Sequence, residues 1–179
     1  MTKYARRRAV VAGETTGIGL AIAKRLVEGG ATVLLTVRTP QERVHAAAEL
    51  GPAARVVPPD AVADSLGSDG DVDFLFADTV PTARPLLPRL KDGGAIVLTA
   101  PAPASASVHA LAVELVSRGI RVNAVAPGCI EAPGGAEPLP PLGRLGAVEE
   151  VARAALFLAT EATFTTGARL PVDGGLSHP

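Results

Sequence analysis

Arg8-Ala9-Val10-Val11-Ala12-Gly13-Glu14-Thr15-Thr16-Gly17-Ile18-Gly19 decides how the rest of the chain is read. The run after Arg8 is apolar and ends at Gly13, as a strand buried on both faces does. Ile18, Ile22 and Leu26 then recur every four residues, the spacing of one helix face, and the pattern stops at Gly29-Gly30. A buried strand that feeds a helix through a glycine-rich turn opens a parallel α/β unit.

The same alternation continues outward. Further strands are predicted at Thr32–Val37, Arg55–Val57, Val72–Ala77, Ala95–Thr99, Ile120–Val125 and Ala168–Val172. Helices are predicted over Gln41–Leu50, over a short stretch from Thr82 or Arg84 to Leu90 or Lys91, over Ser107–Arg118, and around Val148–Ala159. About seven strands, apolar on both faces and separated by helices, imply a doubly wound parallel sheet with right-handed crossovers. The whole chain, 1–179, reads as one α/β domain of Rossmann type with shortened central helices. Residues 126–146, rich in Pro and Gly, read as a binding loop, a lid or a mobile segment.

With 47% hydrophobic and 20% charged residues, the composition is that of a globular chain. A net charge of −1 offers no basic footprint for nucleic acid or an anionic membrane. The apolar run Ala9–Gly13 behind the basic Met1–Arg8 is too short for a signal core or a spanning helix. A single cysteine, Cys129, precludes an internal disulfide and suits a reducing, cytoplasmic setting. Scarce Lys beside abundant Arg, Ala, Gly and Pro hints at a GC-rich bacterial genome.

The turn Gly13-Glu14-Thr15-Thr16-Gly17-Ile18-Gly19 carries the first candidate site. Glycines permit close backbone approach to a diphosphate, and the free N–H groups at the helix start favour an anion there. A tight turn needed only for packing would read the same. On these residues the chain resembles the short-chain dehydrogenase/reductase family. Val10 to Gly19 is similar to that family's Thr-Gly-x-x-x-Gly-x-Gly segment, with Ala12 where Thr is usual. Ile120-Arg121-Val122-Asn123-Ala124-Val125-Ala126-Pro127-Gly128 resembles the stretch after its catalytic helix. Gly143 to Gly146, Glu149 to Ala152 and Thr166 to Gly175 resemble its C-terminal segment.

The resemblance implies a dinucleotide cofactor held by Gly13, Thr15, Thr16, Gly17, Ile18 and Gly19, and by Pro127, Gly128 and Ile130 in the second matching stretch. Asp60-Ala61 resembles the pair that contacts the adenine amino group, though a helix cap explains Asp60 equally well. Arg38 follows the second strand, where an acid binds the NAD ribose and an arginine suits the NADP 2′-phosphate. NADP(H) is the expected cofactor, if any binds; a solvated surface arginine is the plainer alternative.

The same family resemblance implies a catalytic Ser, Asn and Tyr-x-x-x-Lys, and here the match fails. The only tyrosine is Tyr4, and the lysines are Lys3, Lys24 and Lys91. The serine position falls near Ala100 or Pro101. Ala77-Asp78-Thr79-Val80 replaces the turn expected after the fourth strand, and the nicotinamide-binding threonine becomes Ala132. His109, Cys129, Glu131, Asp78, Thr99 and Ser105 are the residues near enough in sequence to carry other chemistry. Each also has an ordinary reading: a helix residue, a small apolar side chain, a solvated acid, or an Asx turn or cap for Asp78. Asp173-Gly174-Gly175 reads as a structural turn. No spacing suggests a metal site.

The expected function is that of an NADP(H)-binding oxidoreductase homologue whose ketone-reducing machinery is lost, acting on a small-molecule ligand. The alternatives are a scaffold turned to cyclisation, isomerisation or dehydration, and a non-catalytic binding or accessory protein. A homodimer through the last strand and helix is expected.

Overall fold

The computed structural model describes residues 3–13, 17–67, 72–100, 104–131 and 139–177. Seven strands form one sheet: β1 (Arg8–Ala12), β2 (Thr32–Thr36), β3 (Ala54–Val57), β4 (Val72–Ala77), β5 (Leu90–Leu98), β6 (Arg121–Pro127) and β7 (Arg169–Val172). All neighbouring strands pair in parallel, in the order β3-β2-β1-β4-β5-β6-β7. The direction of winding reverses between β1 and β4. In such sheets the crevice beyond the carboxyl ends of the strands at that reversal is where ligands bind.

The helices are α1 (Gly17–Glu28), α2 (Pro40–Leu50), α3 (Val62–Leu66), α4 (Val80–Ala83), α5 (Ser105–Leu115) and α6 (Val148–Thr160). They divide between the two faces as alternation along each strand requires. Ala9 and Val11 of β1, Phe74 and Phe76 of β4, and Val97 of β5 pack with Ile22 and Leu26 of α1 and Val151 and Ala155 of α6. Val10, Leu75, Ile96 and Leu98 pack on the other face with Leu86 and Leu87 and with Val108 and Leu111 of α5. Runs apolar at every position therefore feed both cores.

Local signals set most boundaries. Thr39 caps α2 by accepting from the Glu42 amide, the Glu42 side chain returns a bond to the Thr39 amide, and Pro40 takes the first helical position. Three expectations are corrected. The helix expected between Thr82 and Lys91 is one α turn followed by a 3-10 stretch over Arg84–Arg89, because Pro85 and Pro88 cannot supply the amides a longer α-helix needs. β5 begins at Leu90, not Ala95: Leu90 pairs with Val72, the register shifts across Lys91–Gly94, and pairing resumes at Phe74–Ala95. The short α3, with the 3-10 turn Pro59–Ala61 before it, was not expected.

Candidate functional site

The site is built on the ends of β1, β2 and β4. Gly13 closes β1 with φ +110°, which a side-chain-bearing residue rarely adopts. Thr36, buried at the end of β2, grips it from both sides: its Oγ1 accepts from the Gly13 amide at 3.0 Å and donates to the Gly13 carbonyl at 3.4 Å. Asp78, just past β4, is tied to both neighbours. Its amide donates to the Ala12 carbonyl at 3.2 Å and its carbonyl accepts from the Ala100 amide at 3.0 Å. So anchored, it leans its carboxylate across the crevice onto Gly13.

Gly13, Thr36, Arg38, Val62 and Asp78 share a cleft of about 290 Å³ roofed by Thr82, Pro85 and Leu86. Asp78 also borders a second cleft, about 200 Å³, between α4 and the start of α5, where Thr79 and Ser107 present hydroxyls. The cap reading of Asp78 is corrected: Thr79 caps α4, and the Asp78 carboxylate lies against Gly13. Gly17 is similarly engaged, since a Cβ there would stand 3.0 Å from Val148 at the start of α6. Two of the turn's glycines thus allow close internal approaches. Gly19 is buried in the first turn of α1 and Ile18 is half-buried beside it. Glu14, Thr15 and Thr16 lie outside the described residues.

Arg38 sits two residues beyond β2. Its amide and that of Thr39 both donate to Glu42 Oε2, at 2.9 and 3.0 Å. These amides, Thr39 first, and the nearby Arg38 charge hold the Glu42 carboxyl below its ordinary value. Arg43, one turn into α2, joins Arg38 and Thr39 around a small hollow of about 110 Å³. Sequence reading passed over Arg43; the signal available was its place in the first turn of the helix that follows Arg38.

The other expected residues fall elsewhere. Asp60 is exposed in the 3-10 turn while Pro59 and Val62 line the cleft, and Ala61, not Asp60, holds the N-cap position of α3. Pro127 ends β6, paired with Val172 of β7, and Gly128 and Ile130 follow it. The Gly128 amide donates to the Val172 carbonyl, a Cβ on Gly128 would overlap Asp173, and Ile130 bridges to Gly146. Cys129 borders a separate cleft of about 400 Å³ there, with Arg144, Glu150 and Asp173. Asp173 accepts from the Gly175 and Ser177 amides, which bears out a structural turn. His109 is exposed on α5 beside Gly167. Ser105 opens α5, and Ser107 rather than Ser105 reaches a cleft; Thr99 donates to the Ala77 carbonyl. Ala132 lies outside the described residues, and Glu131 is exposed at their edge.

Tyr4 is buried at the opposite end of the sheet. Its amide donates to the Gly29 carbonyl and its ring fills the space beside Gly29, where a Cβ would overlap it. Each lysine faces a carboxylate: Lys3 with Glu161, Lys24 with Glu49, Lys91 with Asp73. Tyr4, Lys3 and Lys91 border a cavity of about 540 Å³ at the amino ends of the strands. It is larger than the clefts above, and its lining charges pair with one another: Lys3 with Glu161, and Arg7 and Lys91 with Asp73. Asp73 accepts from Arg7, Lys91 and the Arg8 amide. Burial alone would raise the Asp73 carboxyl, but these donors hold it below the usual carboxylate range. Arg121 spends its guanidinium on the Leu158, Ala159 and Ala162 carbonyls that end α6. Among the described residues no group of three or more His, Cys, Asp or Glu could hold a metal ion, and no helix is long and apolar enough to cross a membrane.

Residues 7–65 match the family model described as short chain dehydrogenase, and residues 95–177 match that described as enoyl-(acyl carrier protein) reductase. The 3-oxoacyl-[acyl-carrier-protein] reductase FabG of Salmonella typhimurium is 30% identical over 234 residues, covering 94% of this chain and 96% of that protein. Spreading 94% of 179 residues over 234 positions leaves several dozen positions of the relative without a counterpart here. The FabG of Thermotoga maritima is 51% identical over 77 residues, a match that spans only 31% of that protein. Among solved structures, the 3-ketoacyl-(acyl-carrier-protein) reductase of Brucella melitensis complexed with NADH superposes with a TM-score of 0.83 at 28% identity, covering 97% of this chain and 99% of that one. A short-chain dehydrogenase/reductase of Serratia marcescens shares the fold, with a TM-score of 0.83 at 23% identity.

Proposed function

The chain belongs to the short-chain dehydrogenase/reductase family, and from that premise we propose that it binds NADP(H) with the family's ketone-reducing machinery lost. The observation that carries this reading is a division of labour between the two ends of the sheet. The cleft at the carboxyl ends keeps a guanidinium, Arg38, beside the glycine turn and the apolar Val62 and Leu86. The only phenol, Tyr4, is buried at the amino ends.

The cleft fits the adenosine half of the cofactor. Its apolar walls suit a ring, and Arg38 with Arg43 suits a 2′-phosphate as a planar fork and a second charge. Such a cofactor supplies a hydride when bound. Among the described residues around the β4 and β5 ends, Asp78, Thr79 and Ser107 are the polar side chains lining the adjoining cleft, Thr99 donates to the Ala77 carbonyl, and none is a phenol paired with an ammonium. The relative from Brucella was captured with NADH; Arg38 is the reason to expect the phosphorylated cofactor here.

A second reading takes its support from Asp78. A carboxylate beside two hydroxyls in a cleft of about 200 Å³ suits proton transfer on a small metabolite without redox change, as in an isomerisation or dehydration. The single cysteine supports a cytoplasmic setting, and the Arg-rich, Lys-poor composition supports a bacterial source. A second copy of the chain is proposed to cover Phe157 of α6 and the open edge of β7, both exposed or half-exposed.

Calorimetric titration with NADPH and NADH, followed by NADPH oxidation assays with a panel of ketones, tests the main reading. NADPH is expected to bind more tightly than NADH, without turnover of the ketones. Absence of NADPH binding, or steady ketone reduction, overturns it.

A further inference from the structure

We infer that Glu42 limits how strongly the chain prefers the phosphorylated cofactor, because its carboxylate holds the backbone amides of Arg38 and Thr39. This rests on the reading of Arg38 as the partner of the 2′-phosphate, and it adds the residue that opposes that partner.

Three observations support the role. First, Arg38 lines both the cleft of about 290 Å³ at the strand ends and the hollow of about 110 Å³ shared with Thr39, Pro40, Arg43 and Pro58. A phosphate that reaches Arg38 from either cavity therefore arrives at the turn from β2 into α2. Second, free amides at the start of a helix draw an anion. At this turn two are already taken: Glu42 Oε2 accepts from the Arg38 amide at 2.9 Å and from the Thr39 amide at 3.0 Å. Third, the carboxylate is held in a reciprocal cap. The Glu42 amide donates to Thr39 Oγ1 at 3.2 Å, so the two residues bond each other in both directions across the first turn.

Charge sets the consequence. NADPH differs from NADH by the 2′-phosphate, so a charge beside Arg38 acts on the difference between the two cofactors. Arg38 and Arg43 attract that phosphate. Glu42 repels it and withholds two donors from it. The same amides keep the Glu42 carboxyl ionised, and the Arg38 charge contributes, so guanidinium and carboxylate already feel each other. Exposed charges within a Debye length, about 8 Å at physiological salt, are only partly screened. A capping role alone would change the stability of α2 and leave the ratio of the two affinities where it is.

The test is calorimetric titration of NADPH and NADH into the full chain, Glu42→Gln and Glu42→Ala. Glu49→Gln removes the same charge near the other end of α2, where Glu49 pairs with Lys24, and serves as the control. Thermal melting shows that each variant is folded. Both Glu42 variants are expected to tighten NADPH about fivefold and to leave NADH within about twofold, and Glu49→Gln is expected to change neither. NADPH affinity unchanged or weakened in the folded Glu42 variants overturns the role of Glu42 and leaves the nucleotide reading intact. An equal gain in Glu49→Gln, or an equal gain for NADH, does the same. Failure of NADPH to bind the unaltered protein and both Glu42 variants overturns the nucleotide reading and this role together.

Discussion

The Asp78 carboxylate stands where a side chain on Gly13 would begin: a Cβ built on Gly13 would lie 2.5 Å from each of its two carboxylate oxygens. The residues are 65 positions apart in the chain but adjacent at the carboxyl ends of the paired strands β1 and β4. Glycine at this turn is therefore required twice over, by a φ of +110° and by the approach of an acid from the next strand. The contact joins the glycine motif to a residue that lines both clefts at the carboxyl ends of the strands.

Gly13→Ala is expected to cost on the order of 3 kcal/mol in urea unfolding, from backbone strain and overlap with Asp78. The two causes separate in a double-mutant cycle. In an Asp78→Ala background the same substitution should cost at least about 1 kcal/mol less, because only the strain remains. Equal costs in the two backgrounds would show that Asp78 exerts no pressure on the turn.

Arg38→Ala should weaken NADPH by about tenfold or more while changing NADH little, since only the former presents a 2′-phosphate to the guanidinium. Arg43→Ala should act in the same direction and more weakly. Calorimetry with both cofactors decides it; a uniform loss would mean that Arg38 does not read that phosphate.

Arg121 donates to three carbonyls at the end of α6, at distances from 2.6 to 2.9 Å, and burial pushes its guanidinium pKa down. Arg121→Met leaves those carbonyls without their donor and is expected to destabilise the chain by about 3 kcal/mol. Arg121→Lys should recover little, because one ammonium cannot span the fork. Full recovery by lysine, read from urea midpoints, would reduce the interaction to simple charge.

Glu150 accepts from both Arg144 amino groups and from the Ala147 amide, and its carboxyl is held down to about 2, chiefly by Arg144. A depressed carboxyl stabilises the fold while ionised. Its contribution is complete above the unfolded value near 4.5 and disappears as pH falls toward 2. Asp73, also held low, adds loss in the same direction. Unfolding midpoints measured from pH 6 to pH 2 should fall through this window, and Arg144→Gln should flatten part of the decline. Identical profiles for the two proteins would remove Glu150 from the account.

Phe157 of α6 is about half exposed, Phe164 is fully exposed, and β7 ends the sheet with only β6 beside it. Pro171, at the middle of β7, has no amide with which to extend the ladder, so a second copy would cover this edge by side-chain packing. Sedimentation is expected to show a dimer that Phe157→Arg dissociates. A monomer at all accessible concentrations rules it out.

The sequence by itself determined the sheet, its parallel winding and the position of the glycine turn. Runs buried on both faces and helices with a four-residue stripe are local patterns, legible from residues close together in the chain. It also determined that no second tyrosine exists. What only the tertiary structure decided lies between residues far apart: Asp78 resting on Gly13, Tyr4 filling the space beside Gly29, Arg43 joining Arg38, and Arg121 ending α6. The start of β5 at Leu90 belongs here too, because the pairing of Leu90 with Val72, not the polar Lys91–Gly94 after it, sets that boundary. Such contacts depend on which strand ends the winding brings side by side, and no periodicity within one segment encodes that juxtaposition.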